Sequence, residues 1–237
     1  MNDRIQLAAF LREEAVVHVS LFFYTFTFLI SRALITIIDY KTGNLGSIQN
    51  MLKKIKVESR VTSVPEEIAS ATKIILPGVG AFDQGMKKLE SLHLKDILTR
   101  KVLDEKIPVL GICLGMQLMT RRSEEGTLDG LGWIDAETVR FRFKNTDLYK
   151  SPHMGWNFIR QNKTSRLFTN MYPESRFYFV HAYYVIVNDN ADILTTTEYE
   201  TVFTSSFEKS NILGVQFHPE KSHKFGMVLL KNFAELY

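Results

Sequence analysis

The sequence of 237 residues contains a single cysteine, Cys113. One cysteine excludes an intramolecular disulfide framework, and no cysteine–histidine spacing suits zinc. No metal and no cofactor is expected. The net charge is only +3, and no block of like charges occurs, so nucleic acid is not an expected partner. With 6 prolines and 13 glycines in all, no Pro/Gly/Ser-rich stretch divides the chain. Internal repeats and low-complexity segments are also missing. The one long apolar and aromatic run, residues 16–30, falls short of the ~20 residues a spanning helix needs. It is a poor secretory signal as well. Glu13 and Glu14 stand where a basic region belongs, and no small-x-small cleavage site follows. These absences favour a reducing cytoplasm and leave a membrane role unexpected.

What remains is ordinary for a globular protein: 45% hydrophobic and 23% charged residues. From Leu34 onward the pattern is regular. Residues 34–39 form a β-branched run, read as a buried strand. Gly43-Asn44 opens a helical stretch with apolar residues at Leu45, Ile48, Leu52 and Ile55. Residues 57–61 and 73–77 are further strands. Helical sequence covers 82–105 with a break near Leu92-His93, and a strand over 107–112 follows. From Gly132 to Phe217 short strands dominate, at 177–180, 183–187, 193–198, 202–208 and 212–217. A last helix spans 225–236. The expectation is one α/β domain over residues 34–237: a mostly parallel central sheet flanked by helices, with an added antiparallel layer.

Cys113 lies in Gly111-Ile112-Cys113-Leu114-Gly115, between an apolar strand and Met116-Gln117-Leu118-Met119. Strand, glycine-flanked turn and helix make a nucleophile elbow, which exposes the apex side chain in a strained conformation. A free cysteine is also a common core residue, so the assignment needs a base. Gly214-Val215-Gln216-Phe217-His218-Pro219-Glu220 supplies one. His218 closes a strand, Pro219 ends regular pairing, and Glu220 can bend back to set the imidazole tautomer. Gly78-Val79-Gly80 follows a parallel strand and should reach the carboxyl edge of the sheet, where ligands bind. Its glycines permit close backbone approach, although a plain turn reads equally well there.

Together these segments resemble the class I glutamine amidotransferases. They are most similar to the glutaminase subunits that serve imidazole glycerol phosphate synthase. The resemblance rests on Asp39-Tyr40 with Gly43-Asn44-Leu45, on Leu76-Pro77-Gly78-Val79-Gly80-Ala81-Phe82 and on the elbow through Gln117. It continues through Ser123-Glu124-Glu125, Gly130-Leu131-Gly132, Pro152-His153-Met154-Gly155-Trp156-Asn157, Phe177-Tyr178-Phe179-Val180-His181 and Gly214 to Ser222. It implies that Cys113 attacks the carboxamide of L-glutamine to form a thioester. His218 would relay the protons and Glu220 orient it. The amides of Gly78, Val79 and Leu114 would serve the oxyanion, beside Gly80. Gln117, Glu125, His181 and Tyr183 would hold the glutamine. The implied partner is a (β/α)8 barrel synthase subunit of the HisF type, in a heterodimer that receives the ammonia and makes imidazole glycerol phosphate for L-histidine.

Departures from the pattern are Lys41-Thr42, in a loop near the family's subunit interface, and Ala182, where a serine is usual. Gly132-Trp133-Ile134-Asp135-Ala136 and Ser222-His223-Lys224-Phe225-Gly226-Met227 are similar to a subgroup that feeds nucleotide-sugar amidotransfer in surface-polysaccharide biosynthesis. That acceptor is the alternative reading. A non-catalytic regulatory module and a stand-alone γ-glutamyl hydrolase or cysteine peptidase are the readings of another class. Residues 1–33 precede the resemblance and are expected to be disordered or a misassigned start. Leu34 occupies the place of the family's usual initiator methionine, and no methionine lies between Met1 and Met51. A membrane-surface anchor is the competing reading of that segment.

Overall fold

The computed structural model describes residues 34–237, and the expectations for residues 1–33 lie outside the described residues. In chain order the elements are β1 (Ile35–Ile38), α1 (Leu45–Lys54), β2 (Ser59–Thr62), α2 (Pro65–Ala69), β3 (Lys73–Gly78), α3 (Phe82–Ser91) and α4 (Leu94–Thr99). Then come β4 (Val109–Cys113), α5 (Leu114–Leu118), β5 (Arg122–Ser123), β6 (Ala136–Arg140), β7 (His153–Phe158), β8 (Arg160–Gln161), β9 (Arg176–His181) and β10 (Tyr183–Val187). The chain closes with β11 (Ile193–Tyr199), β12 (Thr201–Lys209), β13 (Ile212–Val215) and α6 (His223–Leu236).

The main sheet runs β2-β1-β3-β4-β13-β12-β10-β6-β5, with β11 paired to β12 and β8. The block from β2 to β13 is parallel. From β12 the pairing turns antiparallel through β10 and β6. Strands β7 and β9 form a separate antiparallel pair. The fold is thus a single α/β domain with a mostly parallel central sheet and an antiparallel part, as the alternation of patterns predicts.

Apolar residues on both sides of each parallel strand explain why the central block is buried on two faces. Ile35, Ile37, Ile75, Leu110 and Ile112 pack with Ile48 and Leu52 of α1 and Leu229, Leu230 and Phe233 of α6. Ile38, Ile74, Leu76 and Val109 go to the opposite cluster, with Phe82, Met86 and Leu89 of α3 and Leu94 and Leu98 of α4. Helix α1 starts where predicted because the Asn44 side chain accepts from the amide of Ser47 at 3.3 Å. The expected break in the next helical stretch is His93, which adopts a left-handed conformation with φ 55°. Helix α4 then widens into a π turn at Arg100–Asp104. Among the described residues no helix is long and apolar enough to cross a membrane.

Candidate active site

Neighbouring strands β3, β4 and β13 end together at the carboxyl edge of the sheet. Gly78 pairs with Cys113 across β3–β4, and Ile112 pairs with Val215 across β4–β13. Parallel pairing therefore brings the Gly78-Val79-Gly80 loop, the elbow and the His218 turn to one place.

Cys113 terminates β4 with φ 53° and ψ −110°. Left-handed φ in a residue with a Cβ is uncommon and strained, which is the signature of an elbow. The flanking glycines explain how it is tolerated. A Cβ on Gly115 would lie 1.8 Å from the Leu76 carbonyl oxygen, and one on Gly111 would lie 2.8 Å from Met116 Cα. The turn sits so close to β3 and to its own helix that no side chain fits on either side. That helix, α5, is short, ending at Leu118.

His218 is buried, and its Nδ1 is 2.7 Å from Glu220 Oε1. Backbone bonds hold the turn: the His218 amide donates to the Tyr178 carbonyl, and Ser222 Oγ donates to the His218 carbonyl at 2.6 Å. Nε2, buried without a hydrogen bond of normal geometry, is the ring nitrogen left for the sulfur. Burial opposes charging this imidazole. Its interactions with Cys113 and Glu220 outweigh burial and push its pKa up to about 10. His218 therefore holds a proton at neutral pH.

The loop after β3 differs along its length. Gly78 is buried, whereas Val79 and Gly80 are exposed, and Gly80 has φ +104°. Leu114, immediately after the cysteine, is buried. Glu125 accepts from the Phe82 amide at 2.9 Å and so ties its own loop to the start of α3. Gln117 Nε2 donates to the Tyr183 carbonyl at 3.1 Å and to Gln216 Oε1 at 3.0 Å. His181 has both ring nitrogens engaged within the protein, Nδ1 with the Tyr183 carbonyl at 2.8 Å and Nε2 with His153 Nδ1 at 3.0 Å. Cys113, His218, Glu220, Gly78 and Leu114 are thus gathered on three adjacent strand ends. Gln117, His181 and Tyr183 form a bonded group behind them.

Sequence reasoning missed three participants. Gln216 Nε2 donates to Cys113 Sγ at 3.7 Å. His153 extends the hydrogen-bonded group from β7. Tyr40 puts its buried hydroxyl, which makes no hydrogen bond of normal geometry, against Gly78. A signal for Gln216 existed: a glutamine between the apolar run Ile212–Val215 and Phe217 is buried and needs a partner. His153 and Tyr40 lie in segments that carry the family resemblance, but nothing local gave either side chain a role.

The sequence model of the family "Glutamine amidotransferase class-I" matches residues 36–236. The chain belongs to the class-I glutamine amidotransferase family and is an enzyme of that type. It is 58% identical over 202 residues to imidazole glycerol phosphate synthase subunit HisH 2 of Methanococcus maripaludis, covering 85% of this chain and 99% of that protein. It is 48% identical over 203 residues to subunit HisH 2 of Pseudomonas aeruginosa, covering 86% and 100%. With HisH of Leptospira interrogans it shares 42% over 204 residues, again 86% and 100%. Among solved structures, a glutamine amidotransferase from Thermotoga maritima superposes with TM-score 0.58 at 17% identity, covering 87% of this chain and 83% of that one. A chain of PurLQS from the same organism gives 0.65 at 14%, covering 87% and 99%. At such identities these two speak for the fold.

Proposed function

We propose that this chain is the glutaminase subunit of an imidazole glycerol phosphate synthase, hydrolysing L-glutamine and passing ammonia to a (β/α)8 barrel subunit in L-histidine biosynthesis. The observation that carries the chemistry is Cys113 at its left-handed φ, opposite Gly78, with the bonded His218–Glu220 pair in the turn beyond the neighbouring strand β13. The similarity to HisH subunits supports the acceptor half.

The sulfur of Cys113 attacks the carboxamide carbon as a thiolate, with its proton on His218. The carbonyl oxygen becomes an oxyanion, for which the amides of Gly78, Val79 and Leu114 are the donors. His218 then gives its proton to the amide nitrogen, the C–N bond breaks and ammonia leaves. Water, deprotonated by His218, attacks the thioester carbon, and the C–S bond breaks to release glutamate. Glu220 holds the imidazole tautomer throughout and offsets its positive charge. Glu125, Gln117 and the His181–Tyr183 segment, with the exposed Gly80, form the wall against which glutamine lies.

A partner also suits the surface. Met154, Trp156 and Phe158 alternate along β7 and are 61%, 42% and 54% exposed. Residues spaced by two share one face of a strand, so β7 presents an apolar stripe of the kind that a second protein covers.

The test is ammonia release from glutamine by the purified chain, alone and with a barrel subunit and its acceptor nucleotide. Low activity alone, a sharp rise with the loaded partner and formation of imidazole glycerol phosphate are expected. No ammonia in the complex would overturn the glutaminase reading. Ammonia incorporated only when a nucleotide-sugar amidotransferase is supplied would overturn the histidine assignment.

A further inference from the structure

A chain of hydrogen bonds leads from the surface strand β7 to the sulfur of Cys113, and its direction is set by backbone carbonyls. Tyr183 O can only accept. Gln117 must therefore present its Nε2 to that carbonyl, at 3.1 Å. The same nitrogen meets Gln216 at 3.0 Å, so the atom it meets there must be Oε1. Gln216 is left with Nε2 turned to Cys113 Sγ, at 3.7 Å. Reversing the Gln216 amide would set two donors against each other and leave oxygen facing sulfur.

The other branch obeys the same logic. His181 Nδ1 faces Tyr183 O at 2.8 Å and must carry the hydrogen. In the neutral ring Nε2 then accepts, so His153 Nδ1 donates to it at 3.0 Å. His153 Nε2 accepts in turn from Asn157 Nδ2 at 3.3 Å, whose second hydrogen goes to Glu198 O at 2.9 Å. Burial keeps both histidines neutral, with pKa values pushed down to about 4 and about 3. Gln216 and Gln117 are buried too, and the bonds from Gln117 to Gln216 and from Gln216 to the sulfur are buried with them.

We propose that Gln216 is a hydrogen-bond donor to the reacting sulfur, and that Gln117, anchored on the Tyr183 carbonyl, is the positioning residue that holds its amide in the donating orientation. The proposal deepens the glutaminase reading and rests on it for its role in catalysis. A fixed N–H beside the sulfur favours the charged nucleophile over the neutral thiol, in addition to what His218 supplies. Other titratable groups facing the sulfur are His218, backed by Glu220, and Tyr40 from the end of β1; His181 stands behind His218. Neither His218 nor Glu220 is a neutral donor, and the Tyr40 hydroxyl makes no hydrogen bond of normal geometry to the sulfur.

Because Cys113 is the only cysteine, the experiment is clean: the rate of alkylation by iodoacetamide against pH, in the full chain. Gln216→Met removes the donor with little change in length. Gln216→Glu replaces it with an acceptor that carries charge. Both should move the alkylation midpoint upward, Glu further than Met, and Met should slow the reaction at neutral pH by about tenfold, as expected for a lost bond to a charged group. Unchanged midpoints in folded variants would overturn the proposal. A measurement without substitution stands beside this one, should neither variant fold. In the 15N-labelled wild-type chain the Gln216 side-chain amide protons should shift as Cys113 titrates; protons that stay still would overturn it equally. A midpoint that moves in a chain with no glutaminase activity even beside its partner would refute the glutaminase reading and leave the donor standing. Glutamine hydrolysis with an unmoved midpoint would remove the donor alone.

Discussion

Gly78 faces Cys113 across the β3–β4 ladder, the last register pair of two parallel strands. Two strands that stop at the same level leave the loop beyond Gly78 hanging over the elbow. Val79 is 45% exposed there, so its amide is carried on a segment that a bound substrate or partner can reach. Gly80 at φ +104° gives that segment a joint that an L side chain would strain.

Cys113→Ala should abolish glutamine hydrolysis, by at least about a thousandfold, with little effect on folding. Alanine can replace the thiol at φ 53° without new bulk. Synthesis by the complex from added ammonium should persist, because the acceptor chemistry belongs to the partner. Ammonia assays and thermal melts of the variant check both halves. Substantial residual glutaminase activity would remove Cys113 from the mechanism.

His218→Ala should cost as much activity as loss of the cysteine, and Glu220→Gln less, since an orienting group acts through the base. The pair also predicts a pH dependence of stability. The folded His218 pKa, about 10, lies above the ordinary histidine value of 6.5. Stabilisation from this group is therefore full below 6.5 and is lost as pH rises toward 10. Urea unfolding across that window should show the decline in the wild type and a flatter profile in His218→Ala. Equal slopes would mean that His218 is not held charged.

Much of this was legible beforehand, for a physical reason. β-branched runs, a glycine-flanked cysteine and a His-Pro-Glu at a strand end are local patterns, and β1, β3, β4, β13 and the elbow follow from them. The Asn44 cap and the break at His93 are local as well. What local pattern does not carry is pairing at a distance. His153 meets His181 only because β7 and β9 align in register. Gln216 reaches the sulfur because β13 lies beside β4.

The buried histidines give an acid-side prediction of opposite sign. His153 and His181 have folded pKa values of about 4 and about 3, below the ordinary histidine value of 6.5, because burial disfavours their charge. Their contribution is present above 6.5 and is lost as pH falls from there toward the folded values. The chain should lose stability between pH 6.5 and about 4, and His153→Gln should lessen that slope while costing stability at neutral pH. Circular dichroism melts over this range provide the check. A variant whose slope matches the wild type would locate the acid sensitivity elsewhere.

Tyr40 and Gly78 should prove energetically coupled. The Tyr40 ring is fully buried, and its hydroxyl has only the Thr42 hydroxyl beside it, without a hydrogen bond of normal geometry. Burial of a poorly paired hydroxyl costs about 1–3 kcal/mol, so Tyr40→Phe should be neutral or stabilising. Gly78→Ala should be destabilising, because the new methyl would lie 2.1 Å from Tyr40 Oη, 3.1 Å from Leu114 Cβ and 3.3 Å from the Gly115 amide nitrogen. Overpacking of this kind costs about 1–3 kcal/mol. Removing the hydroxyl relieves the worst of these contacts and leaves the two milder ones. The double variant should therefore be more stable than the sum of the singles, by about 1 kcal/mol or more. Urea unfolding of all four proteins measures the cycle. Additive free energies would show that the loop yields to the methyl without help, and that Tyr40 does not set its position.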